Sequence, residues 1–218
     1  MSPDAPALPF AGFQTEALAF YLGLEADNTR TYWTDHKDEW EREVRAPMLA
    51  LVAALTDEFG EAKLFRPNRD IRFSADKSPY KTHQGAFAAT PGGAGYYVQI
   101  SASGLRAGGG FRAHDPAQTA RLRAAVASNA TGGELESVLT GLQRKRFEIV
   151  GEQVKTTPRG YAADHPRIVT LRHKELMVVR DFGDPAWLGT KQALARVRDT
   201  WRSVRPLNEW VEAHVGPP

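Results

Sequence analysis

A chain of 218 residues, 42% hydrophobic and 25% charged, has the composition of an ordinary globular protein, which excludes a disordered or fibrous chain. It contains no cysteine, which excludes disulfides, thiol catalysis and cysteine-based zinc sites, and no apolar run approaches the roughly 20 residues of a membrane-spanning helix. The net charge of +2 hides an asymmetry, because residues 1–60 carry 4 Lys/Arg against 11 Asp/Glu, a net of −7, and the remainder therefore carries +9.

The first sixty residues predict helices. Thr15 precedes apolar residues at helical spacing and is the predicted N-cap of the first helix. Asp27 and Asn28 are the predicted caps of a second helix. Pro47 interrupts that helix. Because proline suits the first turn of a helix but not its interior, a third helix is predicted to start near Ala46 and to end near Gly60.

Short segments separated by Gly, Pro and Ser follow and predict strands. Ile71 and Phe73 alternate with polar neighbours, so a strand is predicted there with both apolar side chains facing the core. The other predicted strands lie around Phe87, over YYVQI (96–100), before Arg112, over FEIV (147–150) and over ELMVVRDF (175–182). Because the loops between the earlier strands are too short for parallel crossovers, they predict an antiparallel meander, with AGGGF (107–111) as a bulged hairpin edge.

Further helices are predicted after the meander. Asp115 and Pro116 are the predicted N-cap and first-turn residue of one helix, and apolar spacing predicts another over 134–142. The tail over 190–215 is predicted to be helical with a break at Pro206. The whole chain is predicted to be one α+β domain over residues 1–218, with N-terminal helices in 13–60, a central, mainly antiparallel sheet in 61–182 and a C-terminal helical part in 186–215 packed on it.

Familiar catalytic motifs are absent from the sequence. The six histidines form no HExxH pattern, no GxSxG elbow is present, and the glycine-rich stretch 107–111 lacks the Lys and Ser/Thr of a phosphate loop. We therefore expect no metal, no cofactor and no membrane partner. The N-terminal residues show neither the basic region nor the long apolar core of a secretory signal, so a cytoplasmic protein is expected.

One segment, RFSADKSPYK (72–81), concentrates ionisable side chains around a proline. Pro79 favours an extended Ser78, and Asp76 can accept hydrogen bonds from amides two residues on, so the chain is predicted to double back. Cations from both arms would then converge on a space suited to phosphate or carboxylate. The predicted ligand-binding residues of this segment are Arg69, Arg72, Asp76, Lys77, Tyr80 and Lys81. The alternative is a structural network that pairs these charges with one another and with acidic residues of the first helices.

The stretch NRDIRFSADKSPYKTH resembles the signature of a conserved bacterial family, the domain-of-unknown-function family 2461, whose members share an R-x-x-R-F-S-x-D-K-x-P-Y-K core. That core falls on residues 69–81 without a departure. The segments DNTRTYWTDHKDEW, YYVQIS and KTTPRGYAADHPRIVTLRHK also resemble the family, so the resemblance covers nearly the whole chain. It implies a single α+β unit and no particular activity.

A second candidate wall of the pocket lies in the later segment, where Arg159, Tyr161 and His165 are close in sequence. If they faced the bend at 72–81, the pocket would hold several cations and a titratable imidazole, which is enough for an acid/base group beside an anion. The alternative is that the basic residues of HPRIVTLRHK (165–174) form an exposed helix face.

The leading functional hypothesis is a pocket for a small anionic ligand that bears phosphate or carboxylate, and it extends to an enzyme acting on such a metabolite. One alternative is a nucleic-acid-associated protein that uses the basic second part, with Tyr96, Tyr97 and Phe111 on an exposed sheet face. The other is a structural or interaction protein with a large apolar surface.

Overall fold

The computed structural model describes residues 9–72 and 76–217. It confirms the predicted α+β class, with helices first, a sheet in the middle and a long helix at the end. The helices are α1 (Thr15–Ala26), α2 (Arg30–Glu39), a π-helix (Trp40–Arg45), α3 (Ala46–Ala53), α4 (Thr56–Phe59), α5 (Pro116–Ala127), α6 (Asn129–Arg144), α7 (Ile168–Leu171) and α8 (Gln192–His214). The strands are β1 (Ala62–Leu64), β2 (His83–Ala89), β3 (Ala94–Ser101), β4 (Gly104–Arg112), β5 (Glu148–Val150) and β6 (Glu175–Gly183).

Within the described residues, six strands form one antiparallel sheet in the order β1-β2-β3-β4-β6-β5. Lys63 of β1 lies opposite Phe87 of β2, and Ile149 of β5 lies opposite Val178 of β6. The predicted meander is confirmed from β2 to β4, because these strands are neighbours in chain order and are joined by short loops.

The chain divides into two compact units, each discontinuous in sequence. Among the described residues, the first unit comprises 9–72, 76–88, 97–106 and 181–199, and the second unit comprises 89–96, 107–180 and 200–217. Each has buried apolar side chains of its own, such as Leu24 and Met48 in the first and Leu122 and Trp201 in the second. The prediction of a single domain stays a prediction.

The predicted caps of the first two helices are wrong. Helix α1 begins at Thr15, but its N-cap is Gln14, without a side-chain cap bond. The N-cap of α2 is Thr29, whose hydroxyl oxygen accepts a hydrogen bond from Tyr32 N at 3.2 Å. Asn28 does not cap because its amide is engaged by a distant part of the chain, a long-range contact that local sequence cannot reveal.

Pro47 lies in the first turn of α3, and the predicted helix boundary at Ala46 is confirmed. The residues before this boundary form the π-helix, in which the Ala46 N–H donates to the carbonyl oxygen of Glu41. Proline removes a hydrogen bond and crowds the preceding turn, and the wider π turn is one way to accommodate it. The third helix is shorter than predicted, since α3 ends at Ala53 and the separate turn α4 follows.

The strand predicted at Ile71 is wrong for the described residues. Ile71 is 37% exposed and does not anchor in a core, whereas Phe73 lies outside the described residues. Asp70 accepts hydrogen bonds from both the backbone and the side chain of Arg72, and this local bonding competes with an extended strand. The first strand is β1 instead.

The glycine-rich stretch is an interior strand, so its predicted place at a hairpin edge is wrong. It forms part of β4, which lies between β3 and β6. A Cβ atom on Gly108 would collide with the carbonyl oxygen of Val178, and one on Gly110 with that of Leu176. Gly110 also has a φ of 136°, which favours glycine. These glycines therefore allow the backbones of β4 and β6 to approach closely.

Helix α8 continues through Pro206, so the predicted break is wrong. Val204 and Leu207, on either side of the proline, are both fully buried, and packing of the two halves outweighs the lost hydrogen bond. In the second unit, the Trp201 ring stacks on Tyr96 with 5.5 Å between ring centroids. The predicted packing of the C-terminal helix on the sheet is therefore confirmed.

The predicted start of α5 is also confirmed. The carboxylate of Asp115 accepts a hydrogen bond from Gln118 N at 2.7 Å, and Pro116 is the first helical residue. Helix α6 is longer than predicted and starts at Asn129. No helix in the described ranges combines the length and apolarity that a membrane crossing requires.

Candidate functional site

The predicted bend exists as two antiparallel arms in the first unit. The backbone N–H of Arg69 donates to the carbonyl oxygen of Pro79, and that of Lys81 donates to Pro67, both at 2.9 Å. The carboxylate of Asp76 accepts a hydrogen bond from Ser78 N at 2.9 Å, as predicted from its position two residues before that amide. The prediction that the chain doubles back is therefore confirmed.

A bulge lies at the base of the two arms. Leu64 is opposite Ala86 in the sheet, and Asn68 is opposite Tyr80 in the bend. Three residues (65–67) separate these two pairs on the first arm, but five (81–85) separate them on the second. The second arm therefore carries two extra residues, and such bulges change the direction in which side chains point.

The buried side chain of Gln84 holds this bulge in place. It is 1% exposed, and its Nε2 donates to the carbonyl oxygens of Phe65 and Gly85, at 2.9 Å each. One amide group thus satisfies acceptors on both arms where the regular ladder is interrupted. The bulge is therefore fixed by specific hydrogen bonds.

Tyr80 attaches the bend to the N-terminal helices. Its backbone N donates to Asn28 Oδ1 at 3.0 Å, and Asn28 Nδ2 donates back to the carbonyl oxygen of Tyr80 at 3.1 Å. The tyrosine ring stacks on Trp33 with 4.4 Å between centroids and 11° between planes, and Tyr80 is only 7% exposed. The ring of Tyr80 is thus packed against Trp33, and its backbone is bonded to Asn28. Its predicted role in ligand binding stays a prediction.

Two of the predicted cations bond within the bend. The Arg72 side chain, 76% exposed, binds the carboxylate of Asp70 through two nitrogens, at 2.9 and 2.6 Å. This pairing lowers the pKa of Asp70 and raises that of Arg72. Lys77 Nζ donates to the carbonyl oxygen of Ile71 at 3.0 Å. The predicted roles of Arg72 and Lys77 in ligand binding stay predictions.

Three cations, which we call the cation cluster, lie together near the bulge: Arg66, Arg69 and Lys81. Burial lowers the pKa of the Lys81 amine, and the positive charges of the two arginines lower it further. Lys81 Nζ donates to the carbonyl oxygen of Arg66 at 2.7 Å and lies 5.6 Å from the centre of the Phe65 ring. Among the described residues, it pairs with no carboxylate. Arg69 forms an ion pair with Asp76. The cluster therefore has more positive than negative charge.

His83 lies beside the cation cluster. Burial lowers its pKa from the ordinary value of 6.5, and the charges of Lys81 and Arg69 lower it further. Both effects favour the neutral imidazole at neutral pH. Arg66 and His83 were not predicted as site residues. Their one sequence signal is that they flank the predicted segment on its two arms.

The second predicted wall lies in a loop of the second unit, whereas the bend lies in the first. The rings of Tyr161 and His165 make an edge contact at 6.4 Å, and His165 Nδ1 accepts a hydrogen bond from Arg167 N at 3.0 Å. Arg159 is exposed. Arg159, Tyr161 and His165 all precede α7 and so do not lie on that helix. That they share a pocket with the bend stays a prediction.

The aromatic surface proposed for nucleic acid is wrong. Tyr96 and Phe111 are buried, so they offer no face on which bases could stack. Tyr97 is half-buried, its hydroxyl donates to Gln99 Oε1 at 2.7 Å, and burial raises its pKa to about 12. In residues 9–72 and 76–217, no group of three or more His, Asp or Glu side chains is placed to hold a metal ion.

Comparison with known proteins gives one match. The model of the family described as "Conserved hypothetical protein (DUF2461)" matches residues 16–210, which include both arms of the bend and nearly all of the helices and strands. No curated protein and no solved structure matches the chain. The description of the family names no activity, so any function must be argued from the residues themselves.

Proposed function

We propose, for a chain that belongs to the DUF2461 family of conserved hypothetical proteins, that its function is to bind a small ligand bearing a phosphate or carboxylate group at the cation cluster. The observation that carries the proposal is the closeness of Arg66 and Arg69 to the Lys81 amine, whose pKa their positive charges lower. That amine donates its hydrogen bond to a carbonyl oxygen. Mutual repulsion of such charges is a standing cost that a bound anion would relieve.

The chemistry of the cluster favours an oxyanion. Guanidinium groups bind carboxylate and phosphate oxygens through two parallel hydrogen bonds, and an ammonium adds a compact positive charge. The neutral imidazole of His83 can donate a hydrogen bond to the anion or accept a proton from it, so a general base is at hand if the ligand is a substrate. A cytoplasmic location belongs to the same proposal and rests on the cysteine-free sequence.

Sulfate should stabilise the wild-type protein and should fail to stabilise Lys81→Met. The substitution removes the ammonium but keeps an apolar stem, so without sulfate its stability should be unchanged or slightly higher because repulsion is relieved. A ligand at a hundred times its Kd stabilises by about 2.7 kcal/mol, which a thermal melt resolves. The measurement is Tm against sulfate concentration at constant ionic strength.

The matched control is Lys63→Met, which removes an exposed lysine of β1 in the same unit. It should keep the sulfate response of the wild type. Equal responses in the Lys63 and Lys81 variants would show that sulfate acts through general charge screening, and no response in the wild type would remove the proposed site. Lys77→Met tests the ligand-binding role predicted from sequence for Lys77, whose amine donates to the carbonyl oxygen of Ile71.

Sulfate binding should strengthen as the pH falls, and His83 should be the cause. The folded pKa of His83 lies below its ordinary value of 6.5, so without a ligand its neutral form contributes stability that is lost as the pH falls below that value. A bound anion favours the imidazolium and so couples binding to proton uptake. Sulfate keeps its charge between about pH 8 and about pH 6, where an ordinary histidine titrates, so the change must come from the protein.

The measurement is the Kd for sulfate by calorimetry at both ends of this range, in wild type and in His83→Gln. The variant should show a flat profile. Calorimetry in two buffers of different ionisation enthalpy reports the proton uptake directly. An equally steep pH dependence in His83→Gln would assign the effect to another group and contradict the role given to His83.

A further inference from the structure

A separate cleft of about 520 Å³ lies within the second unit. Its volume falls in the range of small-molecule sites, about 300 to 1,000 Å³. The segments that form it are the end of β4, the first two turns of α5, the residues after β5 and the start of β6. The cleft is thus built from four parts of the chain that fold together.

Main-chain hydrogen bonds fix three of these segments to one another. Lys174 N donates to the carbonyl oxygen of Glu152 at 2.8 Å, and Ala113 N donates to that of Lys174 at 3.3 Å. Val154 N donates to the carbonyl oxygen of Arg172 at 2.8 Å. The charged side chains that these segments carry are therefore held by regular backbone structure, which is how a binding site is pre-organised.

The fourth wall is one face of α5. Pro116, Thr119, Ala120 and Arg123 line the cleft, and their spacing of three, four and seven residues places them on the same side of the helix. Three of these side chains are small, which leaves open space in front of the helix. The fourth is the long, half-buried side chain of Arg123.

Most charges of the cleft are balanced in pairs. Arg112 binds the carboxylate of Glu175 at 2.9 Å, and Lys174 binds that of Glu152 at 2.5 Å. The lysine lowers the pKa of the Glu152 carboxyl, and the charge of Arg112 lowers it further. This side of the cleft therefore presents both positive and negative groups to a ligand.

Arg123 is different. Its Nε donates to the carbonyl oxygen of Leu171 at 3.3 Å, and within residues 9–72 and 76–217 its guanidinium has no carboxylate partner. The neighbouring carboxylate of Asp115 is already used as the N-cap of α5. A half-buried guanidinium without a counter-ion is suited to a ligand carboxylate, which it can bind through two hydrogen bonds.

We propose that this cleft binds a small zwitterion, whose carboxylate pairs with Arg123 and whose ammonium meets the carboxylates of Glu152 and Glu175. A dianion suits the cleft less well, because the other Arg and Lys side chains that line it, Arg112 and Lys174, are already paired with Glu175 and Glu152. A diamine suits it less well because it leaves Arg123 without a partner. The ligand class is that of amino acids and short peptides, and the site is independent of the cation cluster at the bend.

The test uses probes that have the same chain length and differ in their end groups: δ-aminovalerate, glutarate and cadaverine. Each is titrated into the full-length, isotope-labelled protein, and the backbone amide signals of Ala113, Arg123 and Lys174 are followed by NMR. The expected result is saturable shifts with δ-aminovalerate and binding of glutarate and cadaverine weaker by about tenfold or more, the effect of losing one charged contact.

Two variants assign the contacts. Arg123→Gln should weaken δ-aminovalerate binding by about tenfold or more, whereas the control Arg144→Gln, at an exposed arginine that does not line the cleft, should not. Glu152→Gln should weaken δ-aminovalerate binding and strengthen glutarate binding. A variant that had merely lost its fold could not produce this reversal, so the outcome is independent of any loss of stability.

The proposal is overturned if δ-aminovalerate gives no saturable shifts in the wild type. It is also overturned if glutarate binds as tightly, if Arg123→Gln behaves like Arg144→Gln, or if Glu152→Gln weakens both probes alike. Sulfate binding at the bend is measured through other residues, so failure there leaves this result unchanged.

Discussion

Replacing Gly108 by alanine is expected to abolish cooperative folding, or to lower the free energy of unfolding by more than about 4 kcal/mol, because the new methyl group would meet the carbonyl oxygen of Val178. Backbone atoms on a neighbouring strand cannot move aside as a flexible side chain can. Gly108 also lies in an interior strand, so a shift of β4 would disturb its neighbours. The measurement is urea denaturation followed by circular dichroism.

Gly141→Ala is the control for this substitution. Gly141 lies inside α6, and apart from the backbone of that helix no described atom comes within 4 Å of the place where its Cβ would be. Alanine there should raise the free energy of unfolding by about 0.5 to 1 kcal/mol, because it favours the helix and restricts the unfolded chain. A fully stable Gly108→Ala protein would mean that β4 and β6 are farther apart than the structure shows.

Replacing Trp33 by alanine should lower the free energy of unfolding by about 3 to 5 kcal/mol, the usual cost of removing a large buried aromatic side chain. The centroid of the Trp33 ring lies 4.4 Å from that of Tyr80 in the bend and 5.1 Å from that of Trp40. Removal of the ring therefore leaves a cavity between these two side chains. Because Tyr80 anchors the bend, the variant should also lose stabilisation by sulfate at the cation cluster.

Trp33→Phe separates the two effects. Phenylalanine retains an aromatic ring against Tyr80, so this variant should keep the sulfate response while losing part of the stability. If Trp33→Ala remains folded and still responds to sulfate as the wild type does, the stack on Tyr80 is not needed to form the cation cluster. Thermal melts with and without sulfate report both quantities in one experiment.

Much of the fold could be predicted because it depends on local regularities. Apolar spacing located α1, alternation located β3, and the pair Asp115 and Pro116 located the start of α5. Two of the errors arose where a distant contact overrode a local preference. Asn28 bonds to the backbone of Tyr80 instead of capping α2, and packing on both sides carries α8 through Pro206.

The candidate site could be predicted only in part. The bend follows from proline and from Asp76, both readable in sequence. The position of His83 beside Lys81 depends on the bulge, which results from the register of two neighbouring pairings, Leu64 with Ala86 and Asn68 with Tyr80, whose partners are 22 and 12 residues apart in sequence. Register is a tertiary property, set by the match between buried faces, so no local pattern could reveal it.

The two additional residues at positions 81–85 have a structural consequence. Side chains alternate along a strand with a period of two, so an insertion or deletion of two residues at this point leaves every residue of β2 on its original face of the sheet. A change of one residue would invert all of them. The sheet therefore constrains the length of the bulge, which can change by two residues without turning the buried side chains of β2 to the opposite face.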